Sequence, residues 1–133
     1  MKTVNIKGKE YVPVVERVKE FHKLYSGGSI TTEMVPTSDE RVIVKATVVL
    51  DTKEASQRIF TGFSQSEWGK GMMGGVALEV AETSAVGRAL GFANIGLLDG
   101  IATADEMRKV KVEKKKYNTD LPPFGPGSEE NED

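Results

Sequence analysis

The sequence predicts an α+β domain made of a helix, a three-stranded antiparallel β-meander and a second helix, ending in a disordered acidic tail. Three observations carry this. Apolar residues recur at three- and four-residue spacing over 13–25, which is helical periodicity. Three β-branched, alternating segments between 29 and 67 are separated only by short polar turns, as hairpin connections require. A stripe of small residues then runs through 76–92, suited to a helix lying close against a sheet or another helix.

In the first helix, PVVERVKEFHKLY, Val14, Val18, Phe21 and Tyr25 form one stripe, and Pro13 suits the start. Glu16, Lys19, Glu20 and Lys23 fall on the other side, and Ser26-Gly27-Gly28 ends it. His22 falls on its flank, as a structural or solvated residue rather than a ligand. The first strand, 29–36, is stopped by Pro36, and residues 37–40 read as a turn. The second, 41–50, puts Val42, Val44, Ala46, Val48 and Leu50 on one face and Arg41, Lys45 and Thr47 opposite. The third spans 57–67 around Ile59, Phe60 and Phe63. In the second helix Ala77, Ala81, Ser84, Ala85 and Ala89 form the small stripe. A third helix is predicted over 103–115, where Thr103 and Glu106 match a capping box. From Asn118 onward Pro, Gly, Ser and acids leave no core to build. The division is therefore one folded domain over 1–116 and a disordered acidic tail over 117–133.

Composition narrows the chemistry. With 133 residues and 38% hydrophobic content the chain is one domain's worth with a modest core. It has no Cys and a single His, which removes disulfides, thiolate metal sites and His-based zinc sites and disfavours a Ser-His-Asp triad. No apolar run reaches the length of a signal peptide or a membrane span, so a cytoplasmic protein without membrane contact is expected. The net charge of −2 hides a segregation. Residues 108–116 carry six bases and one acid, and residues 117–133 carry five acids and no base. Without that last segment 18 bases against 15 acids leave +3, so a polyanionic partner is not disfavoured.

Gly69-Lys70 invites a P-loop reading, but Gly71 follows where a Ser or Thr is needed and Ser64 occupies the earlier glycine position. Nucleotide hydrolysis is not expected, nor any cofactor or metal. Glu79 and Glu82 are helix neighbours that read as a solvated face rather than a catalytic pair. A binding protein is predicted, not an enzyme. The cations Arg17, Arg41, Lys45, Lys70 and Arg88, with Trp68, are scattered in sequence but able to converge on a nucleic-acid backbone. Trp68 suits either stacking on a base or plugging the edge of the core. Arg88 sits among Ala85, Val86, Gly87, Ala89 and Leu90 and needs a counter-anion, for which a protein carboxylate or a phosphate would serve.

Two stretches carry a resemblance. ERVKEFHKLYSGGSITTEMV (16–35), with its Arg17-Val18 pair, and TGFSQSEWGKGMMGGVALEVAETSAVGRALGFANIG (61–96), with Glu82-Thr83-Ser84-Ala85 and Arg88-Ala89-Leu90, resemble the single-strand annealing proteins of the Rad fifty-two type and the phage Erf and Sak proteins. The resemblance covers residues 11–96. It implies a long helix packed across the meander, an annealing-protein core, and a ring or filament of identical subunits holding single-stranded DNA. It places Arg17 and Arg88 in an inner DNA groove and Lys70 at outer contacts. Many members have Lys where this chain has Gly87, which thins the expected phosphate cluster. The resemblance also implies a phage-type role in recombination, replication and repair, in a bacterial host cytoplasm. The tail, with Pro122-Pro123-Phe124 and the acids Glu129, Glu130, Glu132 and Asp133, is similar to those of single-stranded DNA-binding proteins, which dock replication and recombination partners. Two other readings stand beside this one: a five-stranded OB barrel that coats single strands, and a protein-interaction module such as a phage inhibitor of a host enzyme.

Overall fold

The structure, a computed structural model, describes residues 1–69, 74–98 and 100–108. A hairpin of β1 (Val4–Ile6) and β2 (Lys9–Tyr11) leads into helix α1 (Val14–Leu24). Strands β3 (Ser29–Val35), β4 (Arg41–Val49) and β5 (Ile59–Glu67) follow, then a 3₁₀ turn (Gly74–Val76) and helix α2 (Ala77–Phe92). Residues 104–108 are helical again. The expected helix, antiparallel meander and second helix are thus present in that order, with β3-β4-β5 forming one sheet. Two helices stand where an OB barrel would need strands, so the barrel alternative does not describe this chain.

The N-terminal hairpin is an addition to the expected plan. Its strands are only three residues long, and its turn is Lys7-Gly8 rather than an asparagine–glycine pair. Both turn residues have positive φ, 51° and 84°, the combination a two-residue hairpin loop requires. Asn5 Oδ1 steadies the turn by accepting the Gly8 N–H at 3.1 Å.

Strand β4 shows why the sheet forms. Val42, Val44, Ala46 and Val48 are fully buried, while Arg41, Ile43, Lys45, Thr47 and Val49 alternate with them. Period-two alternation with a β-branched inner row is the pattern of a sheet covered on one side. Helix α2 covers that side with Ala77, Ala81, Ala85, Ala89 and Leu90, against β5 and β4. Helix α1 packs chiefly on α2 and sends Phe21 into the same core.

Two glycines set the spacing of the layers. At Gly62 on β5 a Cβ would lie 2.5 Å from the Ala89 nitrogen and 2.6 Å from the Ala85 carbonyl oxygen, so α2 rests directly on the strand's backbone. At Gly87 a Cβ would lie 2.7 Å from Val14 Cγ2 and 3.0 Å from Thr103 Cγ2. Gly87 is therefore the crossing point of α1, α2 and the segment entering 104–108, and no lysine fits there.

The capping box before 104–108 is formed. The Glu106 N–H donates to Thr103 Oγ1 at 3.2 Å, and Glu106 Oε1 accepts the Thr103 N–H at 3.4 Å. Asp105 reaches back to α1, its Oδ1 accepting the Val14 N–H at 2.7 Å. That bond satisfies a first-turn donor that Pro13, at the N-cap without a side-chain bond, leaves open. The remainder of the predicted third helix, and the tail over 117–133, lie outside the described residues.

Candidate nucleic-acid interface

The β4–β5 register places Arg41 opposite Glu67, Ile43 opposite Gln65, Lys45 opposite Phe63, Thr47 opposite Thr61 and Val49 opposite Ile59. These pairs share the face of the sheet that α2 does not cover. Across β3 the same face receives Val35, Glu33, Thr31 and Ser29. Among the described residues no element packs over this surface.

Its centre combines charge and aromatic area. Lys45 Nζ sits 5.9 Å from the centroid of the Phe63 ring, and Phe63 is 51% exposed. One step along, Arg41 Nη1 donates to Gln65 Oε1 at 3.1 Å. Trp68 follows directly after β5, where its N–H donates to the Glu40 carbonyl at 3.0 Å, and its side chain is 42% exposed. Arg41 and Lys45 are therefore brought to one side with Phe63 beside them, while Trp68, opposite Glu40, falls in the other phase of the ladder. Glu33 and Glu67 share the face with the two cations, so the surface attracts a polyanion only modestly and its aromatic area carries more of the capacity to bind.

Arg88 lies round the β5 edge on the helix side. It lines a shallow hollow with Ile59, Phe60, Thr61, Gly62, Phe63 and Phe92. Ile59 and Phe63 belong to both the hollow and the sheet face, so the surface is continuous around the edge. The counter-anion Arg88 needs is a protein carboxylate: its Nη1 is 3.7 Å from Glu106 Oε2, and its guanidinium carbon stands 5.9 Å from the Phe92 ring. With its side chain 36% exposed, Arg88 still reaches solvent.

Arg17 is placed differently from its expected position in a groove. It is 1% exposed, and its Nη1 donates to the Gly87 carbonyl at 2.7 Å. Gly91 and Gly96 make room for it, since a Cβ at either would lie under 3 Å from an Arg17 atom. Burial pulls its pKa down, and the nearby carboxylates of Glu106 and Asp105 push it back up. Arg17 also borders a hollow of about 240 Å³ between the N-terminal hairpin and residues 96–107. At 1% exposure the guanidinium gives a strand of DNA nothing to touch, so in this structure Arg17 is a packing and hydrogen-bonding residue. Lys70 and the tail positions Phe124, Glu129, Glu130, Glu132 and Asp133 lie outside the described residues.

Phe63 is the site residue that sequence reasoning missed. β5 carries aromatics on both phases, Phe60 inward and Phe63 outward, so its own alternation is ambiguous. Only the pairing with β4, whose phase is plain, separates them. His22 is exposed on the α1 flank, edge-on to Phe21 at 5.3 Å. Glu79 and Glu82 are exposed, and Glu82 accepts a hydrogen bond from Thr32 at 2.7 Å.

A family model described as Slr1353 N-terminal dsRNA-binding domain-like matches residues 18–93, more than half of the chain. The chain belongs to that family. The part shared with the Slr1353-type domain runs from within α1 to just past α2. It contains Arg41, Lys45, Phe63, Trp68 and Arg88, and leaves the N-terminal hairpin and residues 103–108 outside. No curated protein matches the chain. Among the described residues of this Slr1353-type chain no three potential metal ligands converge, and no helix is long and apolar enough to cross a membrane.

Proposed function

We propose that the chain is a nucleic-acid-binding module that lays single-stranded DNA across the uncovered face of its sheet, acting as an oligomer that brings complementary strands together. It does so by binding alone, without cofactor or catalysis. The observation that carries this reading is the Lys45–Phe63 pair at the centre of an open sheet face, with Arg41 beside it. An aromatic ring standing on a strand offers a stacking surface to any unpaired base, worth about 1–3 kcal/mol per base. Cations at its side neutralise phosphates and release counterions. The likeness to annealing proteins noted in the sequence supports single-stranded DNA and a recombination, replication or repair setting. The acidic tail would dock protein partners there.

A second reading comes from the family's description, which names double-stranded RNA. Duplex RNA is recognised through its backbone and 2′-hydroxyls, with little use for an exposed ring. Anisotropy titrations with labelled single-stranded DNA, duplex DNA and duplex RNA over a salt series separate the two. For single-stranded DNA the affinity should fall with salt, with a slope of about −0.7 per phosphate contacted, and should exceed that for both duplexes. Salt-insensitive binding, or equal binding to duplex and single strand, overturns the proposal, and preference for duplex RNA establishes the second reading. Complementary-strand annealing, with mass measured on the same sample, tests the oligomer's role.

A further inference from the structure

The sheet has three strands and therefore two edges, and the ladder fixes which main-chain groups face outward. At one end of β4–β5 the Leu50 N–H donates to the Arg58 carbonyl, and at the other the Trp68 N–H donates to that of Glu40. Both pairs, 50–58 and 40–68, extend the β4–β5 register by one residue at its two ends, and hydrogen-bonded pairs alternate along an antiparallel ladder. The bonded pairs are thus the even-numbered ones, Val42–Ser66 through Val48–Phe60. Thr61 and Phe63 turn their N–H and C=O away from β4, toward the free edge. By the same count β4 bonds β3 through its odd residues, and Ile30, Thr32 and Met34 direct their main-chain groups outward on the opposite edge.

Among the described residues neither edge carries a lysine, a proline, a bulge or a covering strand. Natural edge strands are blunted by Lys, Pro, bulges or a covering element. Here β3 is SITTEMV and β5 is IFTGFSQSE, without a Lys, Arg or Pro. Their registers run unbroken over seven and nine pairs, so no bulge interrupts them. Among the described residues no strand lies beyond either. Met34 is 60% exposed on the β3 edge.

The edges also differ in character. Beside β5 stand Arg88, Phe63, Phe92 and Ile59. Beside β3 stand Glu33, Met34 and, on the helix side, Glu82, which holds Thr32. We propose that the partner of the β5 edge is the β3 edge of a second copy of this chain, joined head to tail so that the sheet runs on from subunit to subunit. Strands β3 and β5 point the same way within one sheet, so copies in the same orientation meet in parallel. The pleat then agrees: the outward main-chain groups of Thr61 and Phe63 meet those of Ile30, Thr32 and Met34 with every outer-face side chain still on the outer face. A symmetric β5–β5 contact would instead set two Arg88 rims against each other. Head-to-tail pairing is heterologous and grows into a ring or filament.

This deepens the oligomeric part of the function proposed above and rests on it only for self-association. The test is therefore made without nucleic acid, by light scattering after size exclusion over a concentration series. Thr61→Pro and Met34→Pro each remove one outward N–H while sparing the ladder to β4, a position proline tolerates on an edge strand. Each variant alone should run as a single chain, because each has lost one of the two complementary edges. Mixed in equal amounts they should form a dimer of twice the mass of one chain and nothing larger. If a proline variant loses its far-UV circular dichroism, Thr61→Lys and Met34→Lys apply the same logic with the charge that protected edges carry. A monomeric wild type overturns both this inference and the oligomer reading. Association of Met34→Pro at wild-type mass, or a mixture that does not pair, overturns this inference alone.

Discussion

Gly62→Ala adds one methyl group at the closest contact between sheet and helix. Its Cβ would stand 2.5 Å from the Ala89 nitrogen and 2.6 Å from the Ala85 carbonyl oxygen, with Arg88 Cβ at 3.0 Å. Two of these three neighbours are helix backbone, which cannot rotate out of the way. Either α2 lifts from β5 or the strand bows outward. Overpacking of this kind costs about 1–3 kcal/mol. For a domain of this size each kcal/mol moves the melting midpoint by roughly 4–8 °C, so a fall of about 5–20 °C is expected. The assay is thermal unfolding by circular dichroism at fixed protein concentration. Gly75→Ala is the control, since a Cβ there meets nothing within 4 Å. It should leave the midpoint unchanged or raise it slightly by restricting the unfolded chain. A Gly62→Ala protein melting with the wild type would refute the packing of α2 on β5 described here.

Phe63→Ala should weaken single-strand binding by about 1–3 kcal/mol while leaving the melting midpoint nearly unchanged, because its ring is outside the core. Lys45→Gln should lower the magnitude of the salt slope by about 0.7, the share of one phosphate, in the same anisotropy titration. Arg17→Ala should cost more than about 2 kcal/mol in urea unfolding, by leaving a cavity and removing a buried hydrogen bond. Glu10 accepts hydrogen bonds from Thr3 and Asn5, and these hold its carboxyl below the usual glutamate range. A depressed carboxyl stabilises above its unfolded pKa and loses that contribution as pH falls through the folded one. The N-terminal hairpin should therefore loosen on acidification, and Thr3→Ala should raise the Glu10 midpoint seen by NMR.

The parts of the fold that were legible in the sequence are those where one periodicity dominates. β4 alternates without exception, and α1 and α2 follow from their stripes to within a residue at either end. The capping box at Thr103 and Glu106 was equally plain. The N-terminal hairpin was not, because three-residue strands hold too few alternations to register and Lys7-Gly8 is a weak turn signal. At the site, Arg41 and Lys45 follow directly from the phase of β4. Arg17 was harder. It lies three residues after Val14 and four before Phe21, on the buried stripe, but its charge argued for solvent. What resolves it is tertiary: the glycines at 87, 91 and 96 open the space a guanidinium needs, and no local pattern links them to position 17. The missing lysine at position 87 has the same origin, since that site belongs to a helix crossing before it belongs to any phosphate.

The bond from Arg17 to the Gly87 carbonyl has a mechanical consequence. Burial of apolar surface is non-directional, and the small side chains of α2 give α1 few ridges to lock into. Sliding one helix along the other by a single residue, about 1.5 Å, would leave much of the apolar burial unchanged. It would stretch a 2.7 Å hydrogen bond past its useful length and leave a buried charge without that partner. One guanidinium thus acts as a detent. It selects one axial setting of α1 against α2 from several that greasy contacts alone would accept, and thereby fixes where each helix end meets the sheet.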